Sequence, residues 1–143
     1  MGVWTLYVEV WEGAIMSGTT SLQGPANEIE IYRGASKTYE LEVVDGEDHA
    51  VDLTGARVVF SVKCDLSDPT PLIQKDSQVG PTQIDITHPK EGIAEIKLSP
   101  SDTKNMTPGE YIFDVWVVLA SGTRGPVILP SPFKVVAGVT VLT

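Results

Sequence analysis

Cysteine is nearly absent from this chain of 143 residues: Cys64 stands alone. One thiol cannot close an internal bridge, so a secreted disulfide scaffold is excluded and folding must rest on packing. Histidine is almost as scarce, with His49 and His88 the only two. Positive charge is short too, ten Lys and Arg against nineteen Asp and Glu, for a net charge of −9. Those ten cations are scattered, and neutralising successive phosphates needs a stripe, so nucleic acid is not an expected partner. The first of them is Arg33, which leaves the apolar start Val3 to Val8 without the basic region of a signal peptide, and Glu9 and Glu12 interrupt it. Long hydrophobic runs are also missing. The longest, Tyr111 to Ala120, is about ten residues and contains Asp114, whereas a bilayer crossing takes roughly 20. The expectation is a soluble protein made in a reducing cytoplasm, with no membrane or nucleic acid among its partners.

Helical periodicity is nearly absent as well, and alternation with period two recurs down the chain, which makes the fold class all-β. Ile29 and Ile31 alternate with Glu28, Glu30 and Tyr32; Tyr39, Leu41 and Val43 alternate with Thr38, Glu40 and Glu42. Each of these runs has one wet face. Val58, Phe60 and Val62 share a face, but Val59 on the other is apolar too, so this strand is expected in the middle of a sheet, with Phe60 as a core aromatic. Ile84 and Ile86, then Ala94, Ile96 and Leu98, are separated by a hairpin loop at Thr87 to Gly92. The last strands are expected at Val127 to Leu129 and Phe133 to Val136, broken by Pro130-Ser131-Pro132 at a bulge or an edge. Seven or eight strands from Glu28 onward, with turn residues every eight to twelve positions, describe a β-sandwich over 28–143.

Residues 1–27 differ in kind. Trp4, Leu6, Val8 and Val10 alternate with Thr5, Tyr7, Glu9 and Trp11, and the Gly-, Ser- and Thr-rich stretch Gly13 to Asn27 reads as a linker. This is the pattern of an N-terminal extended arm, and Trp4, Leu6, Val8 and Trp11 are its candidate partner-binding residues, since a tethered apolar strand left free is an aggregation hazard. The same strand could equally complete the domain's own sheet.

The segment Ser99 to Val118 holds a corner. Ser99 can cap a short helical turn, Pro100 suits its first position, Asp102 sits where a capping box wants an acceptor, and the turn ends at Pro108-Gly109. Tyr111 then heads a strand with Phe113, Val115 and Val117 on one face. In immunoglobulin-type sandwiches a tyrosine at this place bonds back to the preceding turn, two residues before a cysteine of the inter-sheet disulfide. Phe113 holds that second place here, so the expected fold is an immunoglobulin-like sandwich without its bridge, with Ser99, Asp102, Gly109 and Tyr111 as the structural corner.

No catalytic constellation emerges. The loop Asp45 to Asp52 could gather carboxylates around calcium, but its spacing fails the EF-hand pattern and acidic Gly-containing loops are ordinary turn chemistry. Cys64 beside Lys63 has no histidine near in sequence and is expected to be buried. No cofactor, metal or catalytic residue is expected. Trp116 is expected under the domain's own strands, and Trp116, Tyr32 and Tyr39 would support sugar binding only if two or more rings shared an exposed surface.

Three strings carry a resemblance: Asp52-Leu53-Thr54-Gly55-Ala56-Arg57-Val58-Val59-Phe60-Ser61-Val62-Lys63, Gly92-Ile93-Ala94-Glu95-Ile96-Lys97-Leu98 and Pro108-Gly109-Glu110-Tyr111-Ile112-Phe113-Asp114-Val115. Across about 28–141 the chain resembles the immunoglobulin-like modules of tailed-bacteriophage structural proteins, notably the N-terminal module of baseplate upper proteins. The resemblance implies a non-enzymatic virion component. A sandwich with an arm is similar to a capsid decoration or cement protein, whose partners would be the major capsid protein or other virion proteins and further copies of itself. A tail or baseplate component of the same fold is the alternative, and a carbohydrate-binding module a more distant one.

Overall fold

The computed structural model describes residues 3–9, 28–44 and 49–140, the first of these as backbone. Nine strands run in chain order: β1 (Val3–Glu9), β2 (Ile29–Tyr32), β3 (Lys37–Val44), β4 (Arg57–Lys63), β5 (Ile73–Asp76), β6 (Ile84–His88), β7 (Ile93–Leu98), β8 (Gly109–Val118) and β9 (Arg124–Val136). A single helical turn, α1 (Pro100–Thr103), joins β7 to β8. The strands form a four-stranded sheet, β1-β3-β7-β6, and a five-stranded sheet, β2-β9-β8-β4-β5. The protein is an all-β sandwich with eight strands from Glu28 onward.

Alternation along each strand puts one apolar set between the layers. Tyr39, Leu41, Val43, Ala94, Ile96 and Leu98 come from the first sheet; Val58, Phe60, Val62, Phe113, Val115 and Val117 come from the second, all of them buried. β4 lies between β8 and β5, inside its sheet, in keeping with its two apolar faces. At the centre, where a disulfide would otherwise tie the layers, Phe60, Phe113 and Phe133 make a triangle with ring centroids 5.6, 6.3 and 6.3 Å apart. Tilted and edge-on aromatic contacts of this kind add about 0.5–1.5 kcal/mol per pair beyond area burial.

Two elements depart from the expectations. β9 is one continuous strand rather than two short ones, and it lies between β2 and β8. β2 pairs only with Phe133–Val136, so Pro126, Pro130 and Pro132 fall on the part of β9 that has β8 as its one neighbour, where register shifts break the ladder. Missing amides cost little there. β5, an edge strand beside β4, has no apolar alternation to announce it: its inward positions are Ile73 and Lys75. The Lys75 ammonium is buried but paired, 2.8 Å from Asp102 on α1. This ion pair ties the edge of one sheet to the connection leaving the other.

One glycine is indispensable to the end of the sandwich. Gly92 has φ +71, and a Cβ there would lie 2.4 Å from the Val43 carbonyl oxygen and 3.0 Å from that of Val51. Its own carbonyl accepts from the Val43 amide, and the Leu53 amide donates to Pro89 in the same turn. Three backbone segments meet at a spot where a side chain has no room.

Candidate functional site

The corner residues assemble around α1. The Ser99 amide donates to Asp102 Oδ2 at 2.7 Å, the reciprocal half of a capping box, and the Ser99 hydroxyl reaches the same oxygen at 3.2 Å. Asp102 therefore serves the helix start and the Lys75 ammonium with one carboxylate. Gly109 opens β8 at φ +155, and two residues on the Tyr111 hydroxyl donates back to the Thr107 carbonyl at 2.5 Å. Thr103, fully buried in α1, accepts from the Gly34 amide at 2.9 Å and holds the β2–β3 turn against the corner. These contacts fix the scaffold; they leave no reactive group in a cleft.

Of the arm residues, Trp4, Leu6 and Val8 stand in β1, which runs parallel to β3 with Trp4 in register with Tyr39, Leu41 opposite Leu6 and Val43 opposite Val8. Trp11 lies outside the described residues. So does the 45–48 part of the acidic loop. Among the described residues no group of three His, Cys, Asp or Glu is placed to hold a metal ion.

Leu53 bonds to Pro89 and Val51 to Val43, which brings the segment after His49 against the turn after His88. Both histidines are exposed.

The outer face of the five-stranded sheet carries a depression of about 550 Å³ between β4, β8, the 66–71 loop and Pro130 on β9. Sequence reasoning missed it because it is built from the outward halves of alternating strands, where polar residues announce only solvent. Trp116 lines it and is 41% exposed, which corrects the expectation that the ring is covered by its own strands. Its neighbours set the chemistry. On β8 and β4 the register gives cross-strand pairs Arg57 with Val118, Val59 with Trp116, Ser61 with Asp114 and Lys63 with Ile112. The Trp116 indole N–H donates to Asp114 Oδ2 at 3.2 Å, so the ring is held rather than free to swing. Burial raises the Asp114 pKa above its usual value, with the indole bond and the nearby Lys63 charge pulling the other way. Arg57 binds both Asp76 oxygens, and that bond, from the guanidinium to the carboxylate, lowers the Asp76 pKa. Lys63 and Arg124 line the same groove and make no ion pair among the described residues.

A held, half-exposed tryptophan ringed by Pro69, Pro71, Pro130 and Leu66, with charges at the margin, has the anatomy of a protein-contact anchor. Of Trp116, Tyr32 and Tyr39, no two share one exposed surface. Tyr39 is buried on the same face as Leu41 and Val43, as its strand phase predicts, and its pKa is pushed up to about 12 by that burial. Tyr32 is exposed but pairs with Val136, one position beyond the Gly109 row, which puts it about 20 Å or more along the sheet from Trp116. Cys64 is exposed, against the expectation of burial, because β4 ends at Lys63, one residue before the phase of Val58, Phe60 and Val62 would turn inward again.

No protein-family model matches the chain, and no curated protein matches its sequence. Among solved structures the sandwich is similar to the N-terminal domain of phage TP901-1 ORF48, with a TM-score of 0.51 at 8% sequence identity. The match covers 96% of this chain and 98% of that one, so the likeness is one of whole architecture. At that identity it shows a shared fold.

Proposed function

We propose that this protein is a non-enzymatic structural component of a bacteriophage virion, a rigid module that joins other virion proteins through side-chain surfaces. The observation that carries the proposal is the Trp116 groove: a small acidic sandwich holds a large aromatic ring half in water, at a cost that contact with another polypeptide would recover. Two lines of likeness support the phage setting. The residues of β4, β7 and β8 resemble phage baseplate modules, and the fold neighbour is an N-terminal domain of a phage protein, matched over almost its full length. The first of these favours a tail or baseplate position over the capsid cement position. The cement reading rests on the arm alone.

A contact module of this kind works by repetition. Each copy buries modest area, and many equivalent junctions sum to a stable particle. The net charge of −9 keeps unassembled copies apart and soluble. Lys63 and Arg124 beside Trp116 give the groove a locally opposite sign, which favours a partner surface with carboxylates at its rim.

Gold labelling of purified particles with an antibody against this chain tests the setting, and label at the tail tip is the expected result. Label on the head shell would restore the cement reading, and particles without label would refute the proposal. Trp116→Ala tests the groove. The ring is outside the core, so the variant should fold with the parent's stability and enter particles at least tenfold less; undiminished incorporation would remove the groove from the contact.

A further inference from the structure

We infer that β1 is an exchangeable strand, donated by one copy of this chain to the β3 edge of another. The groove proposal does not enter: the inference stands on sheet topology and chain length. Its occupant is a second copy.

β1 is the outermost strand of the four-stranded sheet and pairs with β3 in parallel, all seven residues in register from Val3 with Thr38 to Glu9 with Val44. An antiparallel edge strand is fixed to its own sheet by a tight turn. A parallel one has no such turn and must return by a long connection. Here eighteen residues separate Glu9 from Glu28, and a segment of that length can span up to about 60 Å. A domain of this size has a radius of gyration of only about 13 Å. Eighteen residues are therefore long enough to span from one sandwich to a neighbouring one, and nothing in the pairing itself identifies which chain supplied the strand.

The rest of the body is complete without deciding that question. Among the residues whose burial is described, the apolar core runs from Ile29 to Val135. β3, by contrast, needs a neighbour: on the side away from β7 it offers a row of backbone donors and acceptors beside Tyr39, Leu41 and Val43, which are buried and opposite the alternating Trp4, Leu6 and Val8 positions. An edge of this kind, left bare, pairs with the next strand it meets. β1 itself, with Trp4, Leu6 and Val8, cannot be left in water either. Exchange keeps each backbone hydrogen bond and each register pair, so closed and exchanged forms differ chiefly in tether entropy and in the local concentration of copies. In dilute solution the tether favours self-closure. Where copies are held side by side, exchange links them with no new surface required.

Cysteine trapping reads this directly. In a Cys64→Ser background, one full-length chain carries Thr5→Cys and a second, of different mass, carries Glu40→Cys; these positions are register partners. The pair is mixed at about 1 mM, the effective concentration typical of a short tether, and oxidised gently. The expected result is a heterodisulfide between the two chains, identified by non-reducing electrophoresis and mass spectrometry. It should exceed at least fivefold the product from Thr5→Cys mixed with Ser121→Cys, an exposed thiol away from β3. A single chain with both Thr5→Cys and Glu40→Cys should close on itself at micromolar concentration. If that chain closes on itself while the mixture links no better than the Ser121 control, exchange is refuted. Failure of both reactions would remove β1 from β3 and overturn the inference as well.

Discussion

Removing Lys75 should unfold this protein at much lower denaturant than its place on a short edge strand would imply. The ammonium is 2.8 Å from Asp102 Oδ2, with side-chain exposures of 10% and 15%, so water screens the pair little. Lys75→Met keeps the apolar stem and leaves Asp102 charged, buried and short of its cation; breaking a buried pair in this way costs about 3 kcal/mol, the low end of the known range because Ser99 still donates to the carboxylate. Asp102→Ala strands the ammonium and also frees the Ser99 amide, adding about 1 kcal/mol to that loss. The double variant Lys75→Met/Asp102→Ala removes both charges, and its loss should be about 3 kcal/mol, far short of the sum of the singles. The assay is urea unfolding at pH 7 followed by circular dichroism. With a slope near 1.5 kcal/mol per molar, 3 kcal/mol moves the midpoint by about 2 M at unchanged slope. A Lys75→Met midpoint within about 0.3 M of the parent, or additive losses in the double variant, would refute the claim that this pair fastens the two layers.

Gly92→Ala should cost more than 2 kcal/mol by the same assay, since the new methyl meets the Val43 carbonyl backbone at a left-handed φ; a loss under 1 kcal/mol would mean that the turn relaxes freely. Tyr39→Phe should leave stability unchanged or raise it by up to about 1 kcal/mol, because the buried hydroxyl finds no hydrogen-bond partner among the described residues, and a clear loss would reveal one. The Asp114 carboxyl, its pKa raised in the folded state, takes up its proton there before it does in the unfolded chain, so this group favours folding as pH falls and opposes it at neutrality. Asp114→Asn, which can still accept from the Trp116 indole, should therefore be more stable than the parent at pH 7 in urea titrations, with the gain shrinking below about pH 4. A variant less stable than the parent at pH 7 would contradict that sign.

What could be read from the sequence followed the alternation of side chains. β2, β3, β4, β6 and β7 each show a clean apolar set on one face, and that set is what the core buries. The break at Pro130-Ser131-Pro132 misled because proline ends a strand only where its amide is needed, and β9 has a second neighbour only from Phe133 onward. β5 was hidden for a different reason: the residue that fills its second inward place is a lysine, stabilised by an aspartate 27 positions away in the chain, a pairing that no local pattern records. The groove was hidden by the same alternation that revealed the strands. Asp114 and Trp116 occupy the outward positions of β8, where the pattern tells polar from apolar faces but cannot tell a wet surface from a partner's. Strand phase buries Tyr39 with Leu41 and Val43 as the alternation indicated, whereas Cys64, one residue past the end of β4, is exposed where burial was expected.

The central claim is that this chain works as a part of a particle. Its most direct test is quantitative mass spectrometry of density-purified virions from cells that produce it. The account predicts the chain in a constant copy number per particle across preparations, retained through high-salt washing. Particles that lack it, with all of the protein left in the soluble fraction, would contradict the account.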